Sequence, residues 1–259
     1  MSTVIYPSPI FGPVHSRRLG VSLGINLPPA DGKVCSFDCI YCECGLNRER
    51  RAKEKMPTRE AVRTALEARL QQMAAEGPTP DVLTFAGNGE PTLHPDFPVI
   101  IEDTRVLRDR YCPKARISVL SNATQILRPA VFAALCRVDN NILKLDTVDA
   151  DFIRQVDCPT GHYAVEAIVE GLARFRGHAI IQTMFLTGTD AQGNTVDNTS
   201  AHYVTPWLEA LRMIGPEAVM IYTIDRETPV STLRKAAPEV LDAIAEQVRA
   251  LGIRCSVAY

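Results

Sequence analysis

The sequence contains no long hydrophobic run. Its apolar stretches, such as residues 179–181 and Ala218–Tyr222, have only the length of a β-strand. A membrane-spanning helix needs about 20 apolar residues in succession. We therefore expect a soluble, cytoplasmic protein with no membrane partner.

The chain also lacks a surplus of either charge. It carries 28 Lys and Arg residues against 30 Asp and Glu residues, a net charge of −2, so no global basic field attracts nucleic acid. A local basic run occupies residues 47–55, but glutamates interleave with its arginines and lysines. This pattern favours a solvated face over a phosphate-binding track, and the sequence carries no strong nucleic-acid signal.

Repeats, low-complexity tracts and interdomain linkers are missing as well. A chain of 259 residues, 46% of them hydrophobic, is long enough to bury one sizeable core. We expect a single domain over residues 1–259, with a cysteine-rich loop at 35–44 and a short helix and strand within 238–258. The irregular stretch 187–200 is expected to be a mobile loop or a surface excursion.

Short β-branched runs alternate with longer amphipathic runs, which is typical of repeated βα units around a parallel sheet. Strands are predicted at residues 21–27, 81–86, 116–120, 141–146, 179–185, 218–224 and 254–258. Helices are predicted at residues 58–75, 96–111, 129–137, 163–176, 203–214 and 238–251. These elements predict an α/β fold, a partial (β/α)6-type barrel of mostly parallel strands, with its active site at the carboxyl ends of the strands.

Three of the eight cysteines lie close together, at Cys35, Cys39 and Cys42. A loop this short can wrap three thiolates around an iron-sulfur cluster and leave one iron open for another ligand. Tyr41 would shield one face of such a cluster from water. A structural zinc site, or a closed cluster with Cys44 as fourth ligand, is the alternative. A disulfide framework is disfavoured because the other cysteines are scattered, at Cys112, Cys136, Cys158 and Cys255.

A second motif, Gly87-Asn88-Gly89-Glu90, directly follows the predicted strand 81–86. Its glycines allow unusual φ angles and close backbone approach to a ligand, and Glu90 supplies an acceptor. Alone, the motif is equally typical of an ordinary strand-to-helix turn. Beside a cysteine loop that follows the preceding strand, it predicts a site for a cofactor with an amine and a carboxylate.

Together these two motifs resemble the radical S-adenosylmethionine (radical SAM) superfamily, and the resemblance spans nearly the whole chain. It implies an enzyme with a [4Fe-4S] cluster on Cys35, Cys39 and Cys42, whose open iron chelates S-adenosylmethionine. With the glycine loop and the polar residues at later strand ends, the expected cofactor-binding residues are Tyr41, Gly87, Asn88, Gly89, Glu90, Ser121, Asn122, Lys144, Asp146 and Gln182. Each of the strand-end residues could equally be an ordinary polar group at the mouth of the barrel.

The chemistry that the resemblance implies is reductive cleavage of S-adenosylmethionine to methionine and a 5′-deoxyadenosyl radical, which abstracts hydrogen from a substrate. It requires an external electron donor of the flavodoxin or ferredoxin kind. The substrate is a small molecule, a peptide or an RNA base. Tyr222 is a candidate neighbour of the adenine, and candidate substrate contacts are Arg17, Arg18, His94, Asp225 and Arg226. The rival hypothesis is a non-catalytic iron-sulfur electron carrier or zinc protein.

Within the superfamily, residues 16–26, the glycine loop and residues 221–226 are similar to the wyosine-synthase-like branch, which includes enzymes that modify a transfer-RNA base. Those enzymes hold a second cluster on upstream cysteines, whereas this chain has no cysteine before Cys35. The similarity therefore predicts a structural relation more safely than a shared substrate.

Overall fold

The computed structural model describes residues 4–16 and 20–259. Within these residues the strands are β1 (Ile10–Ser16), β2 (Gly20–Ile25), β3 (Val82–Phe85), β4 (Arg116–Ser121), β5 (Asn140–Lys144), β6 (Ile180–Met184), β7 (Leu186–Thr187), β8 (Ala218–Tyr222), β9 (Arg234–Lys235) and β10 (Arg254–Ala258). The helices are α1 (Arg59–Glu76), α2 (Phe97–Tyr111), α3 (Pro129–Leu135), α4 (Ala150–Phe152), α5 (Val165–Ala173), α6 (Ala201–Ile214) and α7 (Pro238–Ala250). A 3₁₀ turn spans Pro91–Leu93 and a π-helical turn spans Ile153–Asp157.

Eight strands form one sheet in the order β1-β2-β3-β4-β5-β6-β8-β10. Every neighbouring pair is parallel except β1 and β2, which are antiparallel. Strands β7 and β9 form a separate antiparallel ribbon. The two edges of the large sheet line one common cavity, with Phe11 from β1 and Ala258 from β10, so the sheet curves around that cavity. The predicted α/β fold with mostly parallel strands is confirmed.

The central strands of the sheet are largely buried. All four residues of β3 are buried, Thr84 included, as expected for a parallel strand with neighbours on each face. Helix α1 begins where the Thr58 hydroxyl accepts a hydrogen bond from the Ala61 amide at 3.2 Å, a standard N-cap. All predicted strands and helices are present, with ends within about three residues of the prediction.

Strand β1 lies outside the predicted set because it contains Gly12 and Pro13, residues that usually interrupt strands. The structure accommodates them at the edge of the sheet, where the pairing with β2 shifts register between Phe11 and Val14. Helix α5 is shorter than the predicted 163–176, because the chain turns through Arg176 at a φ of +50°.

The irregular stretch 187–200 is anchored beneath the cavity by the buried side chain of Asn198. Its amide donates hydrogen bonds to the carbonyl oxygens of Met184 at 2.8 Å and Asp146 at 3.3 Å, and its oxygen accepts one from the Leu186 amide at 3.0 Å. The stretch is thereby attached to the ends of β5 and β6.

Among the described residues, no helix combines the length and the apolar character needed to cross a bilayer.

Candidate active site at the carboxyl ends of the strands

The carboxyl ends of the parallel strands surround a cavity of about 580 Å³. Four of the predicted site residues line it: Tyr41 and Cys42 from the cysteine loop, Gly87 from the glycine loop, and Gln182 from β6. Deeper in the barrel the wall is formed by neutral side chains, among them Ser22, Thr84 and Leu120. A cofactor at the rim and a substrate below it would share this one space.

The cysteine loop comes after β2 in the chain. The charge of Lys33 interacts with its cysteines. This lysine is 4% exposed, and its ammonium donates a hydrogen bond to the Gly45 carbonyl at 2.8 Å. Burial opposes its charged form, but the three predicted cluster cysteines and Asp38 outweigh that effect and raise the pKa of Lys33. The charge of this buried lysine thus acts on all three sulfurs and partly offsets the effect of burial on the thiols.

The three thiols differ in how readily they ionise. Burial, followed by the charge of Glu90, raises the pKa of Cys35 to about 12. Burial also raises the pKa of Cys39. A hydrogen bond from Cys44 lowers the pKa of Cys42 to about 6, against the opposing effect of burial and with help from Lys33. Among the residues that the structure describes, no three such side chains are already gathered around one metal-ion position. Iron binds thiolates and displaces their protons, and three partly exposed thiols on one short loop are the kind of ligand that a cluster needs.

A segment that the sequence pattern missed holds the cysteine loop from one side. The backbone of residues 156–160 runs along residues 36–40 and pairs with them. The Ile40 amide donates to the Val156 carbonyl at 2.9 Å, and the Thr160 amide donates to the Ser36 carbonyl at 2.9 Å. The segment begins within the π-helical turn, and these bonds set the path of the loop between its first two cysteines.

Below the cysteine loop lies a buried network of one lysine, two aspartates and a tyrosine. The Lys144 ammonium contacts the Asp146 carboxylate and the Tyr41 hydroxyl, and it lies 2.8 Å from Asp157 Oδ1. The Tyr41 hydroxyl also donates to Asp146. The Asp146 and Asp157 side chains are 0% and 3% exposed and that of Lys144 is 12% exposed, so these charges depend on one another for solvation.

Asp157 connects this network to the cysteine loop. The Cys39 thiol donates to Asp157 Oδ1 at 3.6 Å. Burial raises the pKa of Asp157 to about 6, although Lys144 lowers it. No sequence signal pointed to Asp157, because it lies in a turn with no recognisable motif.

Glu90 does not present a free carboxylate to the cavity, in contrast to the expectation that it supplies an acceptor for a ligand. It is 2% exposed. Its Oε1 accepts hydrogen bonds from the Thr92 amide at 3.0 Å and the Ser121 hydroxyl at 2.9 Å, and Oε2 accepts one from the Asn122 amide at 2.7 Å. Both oxygens are thus engaged, and Glu90 joins the glycine loop to the end of β4.

Asn122 extends this connection to the cysteine loop. Its side-chain amide donates to the Ser36 hydroxyl at 3.0 Å and to Cys35 Sγ at 3.6 Å. Asn122 therefore reaches the first cysteine directly. Ser121 is connected to it only through Glu90 and Asn122.

The Asn88 side chain makes its hydrogen bonds within the fold. Its side chain is fully buried, donates to the carbonyl oxygens of Tyr6 at 2.8 Å and Pro29 at 2.9 Å, and accepts from the Tyr6 amide at 2.7 Å. The side chain does not line the cavity. It holds the N-terminal segment over the glycine loop.

The two glycines of the motif are required by the backbone. Gly87 has a φ of +135° and Gly89 a φ of +138°, a region that favours glycine. Gly89 also lies against Val34, and a Cβ at this position would collide with the Val34 carbonyl. Because the obstacle is backbone, it cannot rotate away.

Replacing Gly89 with alanine is expected to destabilise the protein by about 1 to 3 kcal/mol through backbone strain, and to weaken S-adenosylmethionine binding further by pushing the two loops apart. Urea denaturation and equilibrium binding measure both effects. Gly161→Ala is the matched control, since nothing lies within 4 Å of a Cβ there. Equal behaviour of the two variants would contradict the assigned role of Gly89.

Some of the remaining candidate residues line the cavity and others do not. Asp225, Arg226 and Tyr222 line the cavity as expected, whereas Arg17 and Arg18 lie outside the described residues. His94 is a correction: it is 2% exposed, with Nε2 2.8 Å from the Pro57 carbonyl and Nδ1 accepting from the Asp96 amide. Both ring nitrogens are used within the fold, so His94 is not a substrate contact.

Several cavity residues come from the N-terminal segment, which the sequence reasoning did not include. Tyr6, Phe11 and His15 line the cavity. The Arg226 guanidinium donates to the Tyr6 hydroxyl at 3.1 Å and to the Glu43 carboxylate at 2.9 Å. This link joins the N-terminal segment, the cysteine loop and the loop after β8 at the mouth of the cavity.

Comparison with known proteins agrees with this geometry. Residues 31–192 match the model of the radical SAM superfamily. The UPF0026 protein MJ1312 from Methanocaldococcus jannaschii is 35% identical over 240 residues, which cover 90% of this chain and 69% of that protein.

Two solved structures share the fold. A radical SAM methyltransferase from Sphaerobacter thermophilus has a TM-score of 0.66 at 16% identity, covering 91% of this chain and 65% of that one. SuiB from Streptococcus suis, bound to S-adenosylmethionine, has a TM-score of 0.61 at 13% identity, with 88% of this chain covered. The chain spans about half the length of SuiB, 48%.

Proposed function

Because the chain belongs to the radical SAM superfamily, we propose that it binds a [4Fe-4S] cluster through Cys35, Cys39 and Cys42 and there cleaves S-adenosylmethionine reductively. The family match confirms the predicted superfamily and the predicted class of enzyme. Solved structures of this fold bind S-adenosylmethionine and a [4Fe-4S] cluster, the two cofactors predicted from the sequence. The wyosine-synthase-like branch stays a prediction.

One observation carries this proposal: the cysteine loop and the glycine loop are hydrogen-bonded to each other at the cavity. The Val34 amide donates to the Asn88 carbonyl at 3.0 Å, and the Glu90 amide donates to the Val34 carbonyl at 3.0 Å. Val34 immediately precedes the first cysteine. An electron carrier has no use for a glycine loop fixed beside its cluster, whereas an enzyme must hold the amino acid end of S-adenosylmethionine at that place.

When bound, the two cofactors supply the electron and the carbon-sulfur bond whose cleavage gives methionine and a 5′-deoxyadenosyl radical. The chain's own residues position them and exclude water. Lys144 and Asp146 hold the Tyr41 hydroxyl, so the Tyr41 ring keeps one orientation against the cavity. Cys42 and Gly87 line the same cavity, so the third thiol and the glycine loop border one space. The hydrogen-donating substrate would occupy the neutral interior of the barrel.

Reductive cleavage is tested by anaerobic reconstitution with iron and sulfide, followed by dithionite and S-adenosylmethionine. We expect 5′-deoxyadenosine and methionine to form in equal amounts, and neither to form when dithionite is omitted. Chromatography with mass detection measures both products. A fully loaded protein that releases neither product above background would contradict the proposal.

A closed four-thiolate site is the second candidate, because Cys44 follows Cys42 closely in the same loop. Its thiol is 7% exposed and donates to the Gly87 carbonyl at 3.4 Å. We propose that this contact links the end of the cysteine loop to the glycine loop, which leaves one iron open. The substrate, the external electron donor and a cytoplasmic location remain predictions.

A further inference from the structure

An exposed basic surface lies directly beside the cysteine loop. It consists of residues 48–55, in which five arginines and lysines stand against two glutamates. All seven charged side chains are exposed, and that of Arg48 is 80% exposed. This basic segment carries a local positive excess on a chain whose net charge is −2.

The basic segment is fixed to the cysteine loop by its backbone. The Lys33 amide donates to the Arg50 carbonyl at 2.6 Å, and Lys33 and Arg51 form a parallel bridge. Just before the segment, the Asn47 side chain donates to the carbonyl oxygens of Cys35 at 3.4 Å and Phe37 at 3.1 Å. The backbone that carries the positive charges is therefore attached next to Cys35.

We propose that the basic segment is the docking surface for an acidic one-electron carrier protein that reduces the cluster. The inference rests on the proposed function, which requires an electron from outside the chain. One electron passes from the reduced carrier to the oxidised cluster, so the carrier loses one electron, the cluster gains one, and no bond is made or broken. Opposite charges on the two surfaces speed encounter and orient the carrier with its redox centre towards the cysteine loop.

The composition of the segment favours a protein over a nucleic acid. Glu49 and Glu54 interrupt the basic residues, and an unbroken row of phosphates would face both of them unfavourably. An acidic protein surface can place a lysine or a neutral group opposite each glutamate. The segment also contains no aromatic side chain on which a base could stack.

The test compares two double charge reversals in the reconstituted full chain. Arg48→Glu with Arg51→Glu alters the basic segment. Lys114→Glu with Arg116→Glu is the matched control, because both residues are exposed at the amino end of β4, the opposite end of the sheet from the cysteine loop. The probe is an acidic flavodoxin reduced to its hydroquinone, and stopped-flow absorbance follows reduction of the cluster.

We expect the Arg48/Arg51 variant to lose about tenfold or more in the second-order rate constant at low ionic strength, with the control within about twofold of wild type. Added salt should slow the wild type and leave the Arg48/Arg51 variant nearly unchanged, because screening acts on the attraction already removed. Dithionite is small and needs no docking surface, so it should reduce wild type and both variants alike.

Equal rates with flavodoxin for wild type and the Arg48/Arg51 variant would overturn the inference. An equal loss of rate in the Lys114/Arg116 control would also overturn it. The same holds if dithionite reduces the wild-type cluster and flavodoxin does not, or if RNA binds the wild type and blocks its reduction. Failure of the proposed function looks different: the cluster is reduced by either donor, yet no 5′-deoxyadenosine forms.

Discussion

Replacing Cys39 with alanine is expected to abolish both cluster binding and cleavage of S-adenosylmethionine. Three thiolates are the minimum that holds a cluster with one open iron, and the remaining two cannot retain it. The Cys39 thiol also donates a hydrogen bond to Asp157, so its loss removes this contact between the cysteine loop and the buried network. Iron and sulfide content after reconstitution, together with 5′-deoxyadenosine yield, measures the effect, and both should fall to background.

Cys44→Ala is the matched control for this experiment. It removes a thiol from the same loop, and we expect it to retain the cluster and most of the cleavage activity. Loss of the cluster in Cys44→Ala but not in Cys39→Ala would identify a different set of ligands.

Replacing Lys144 with methionine is expected to destabilise the apoprotein by about 3 to 5 kcal/mol. The change keeps most of the side-chain volume but leaves the buried carboxylates of Asp146 and Asp157 without their cation, and an uncompensated buried charge costs this much. Both carboxylates are almost inaccessible to water, so solvent cannot replace the ammonium. Urea denaturation followed by circular dichroism measures the free energy of unfolding.

A second substitution separates the charge effect from the loss of packing. Adding Asp157→Asn to Lys144→Met removes one of the two uncompensated charges, and the double variant should recover part of the lost stability. If Lys144→Met alone unfolds within about 1 kcal/mol of wild type, the network does not carry the buried charge assigned to it.

The parts of the site that could be predicted are those formed by short, continuous sequence motifs. The cysteine loop and the glycine loop each follow a strand, and β2 and β3 are parallel neighbours, so their carboxyl ends had to meet. Lys144 and Gln182 are register partners on β5 and β6, and both were suggested by the resemblance to the radical SAM superfamily.

The parts that could not be predicted depend on packing between distant segments. Asp157 reaches Cys39 only because a π-helical turn runs back along the cysteine loop, and no local pattern marks such a turn. Glu90 was predicted to supply an acceptor to a ligand, yet its side chain is buried and both of its carboxylate oxygens accept hydrogen bonds within the fold. Burial is a property of the assembled fold, and the local sequence of a loop does not determine it.

The open iron is the claim on which the account depends, and electron paramagnetic resonance of the reduced, reconstituted protein tests it most directly. Adding S-adenosylmethionine with a ¹⁵N-labelled amine should change the cluster signal and introduce a hyperfine coupling from the label, because the amine binds the iron that no cysteine holds. A cluster signal that S-adenosylmethionine leaves unchanged, or a protein that takes up a single divalent ion and no cluster, would contradict the account.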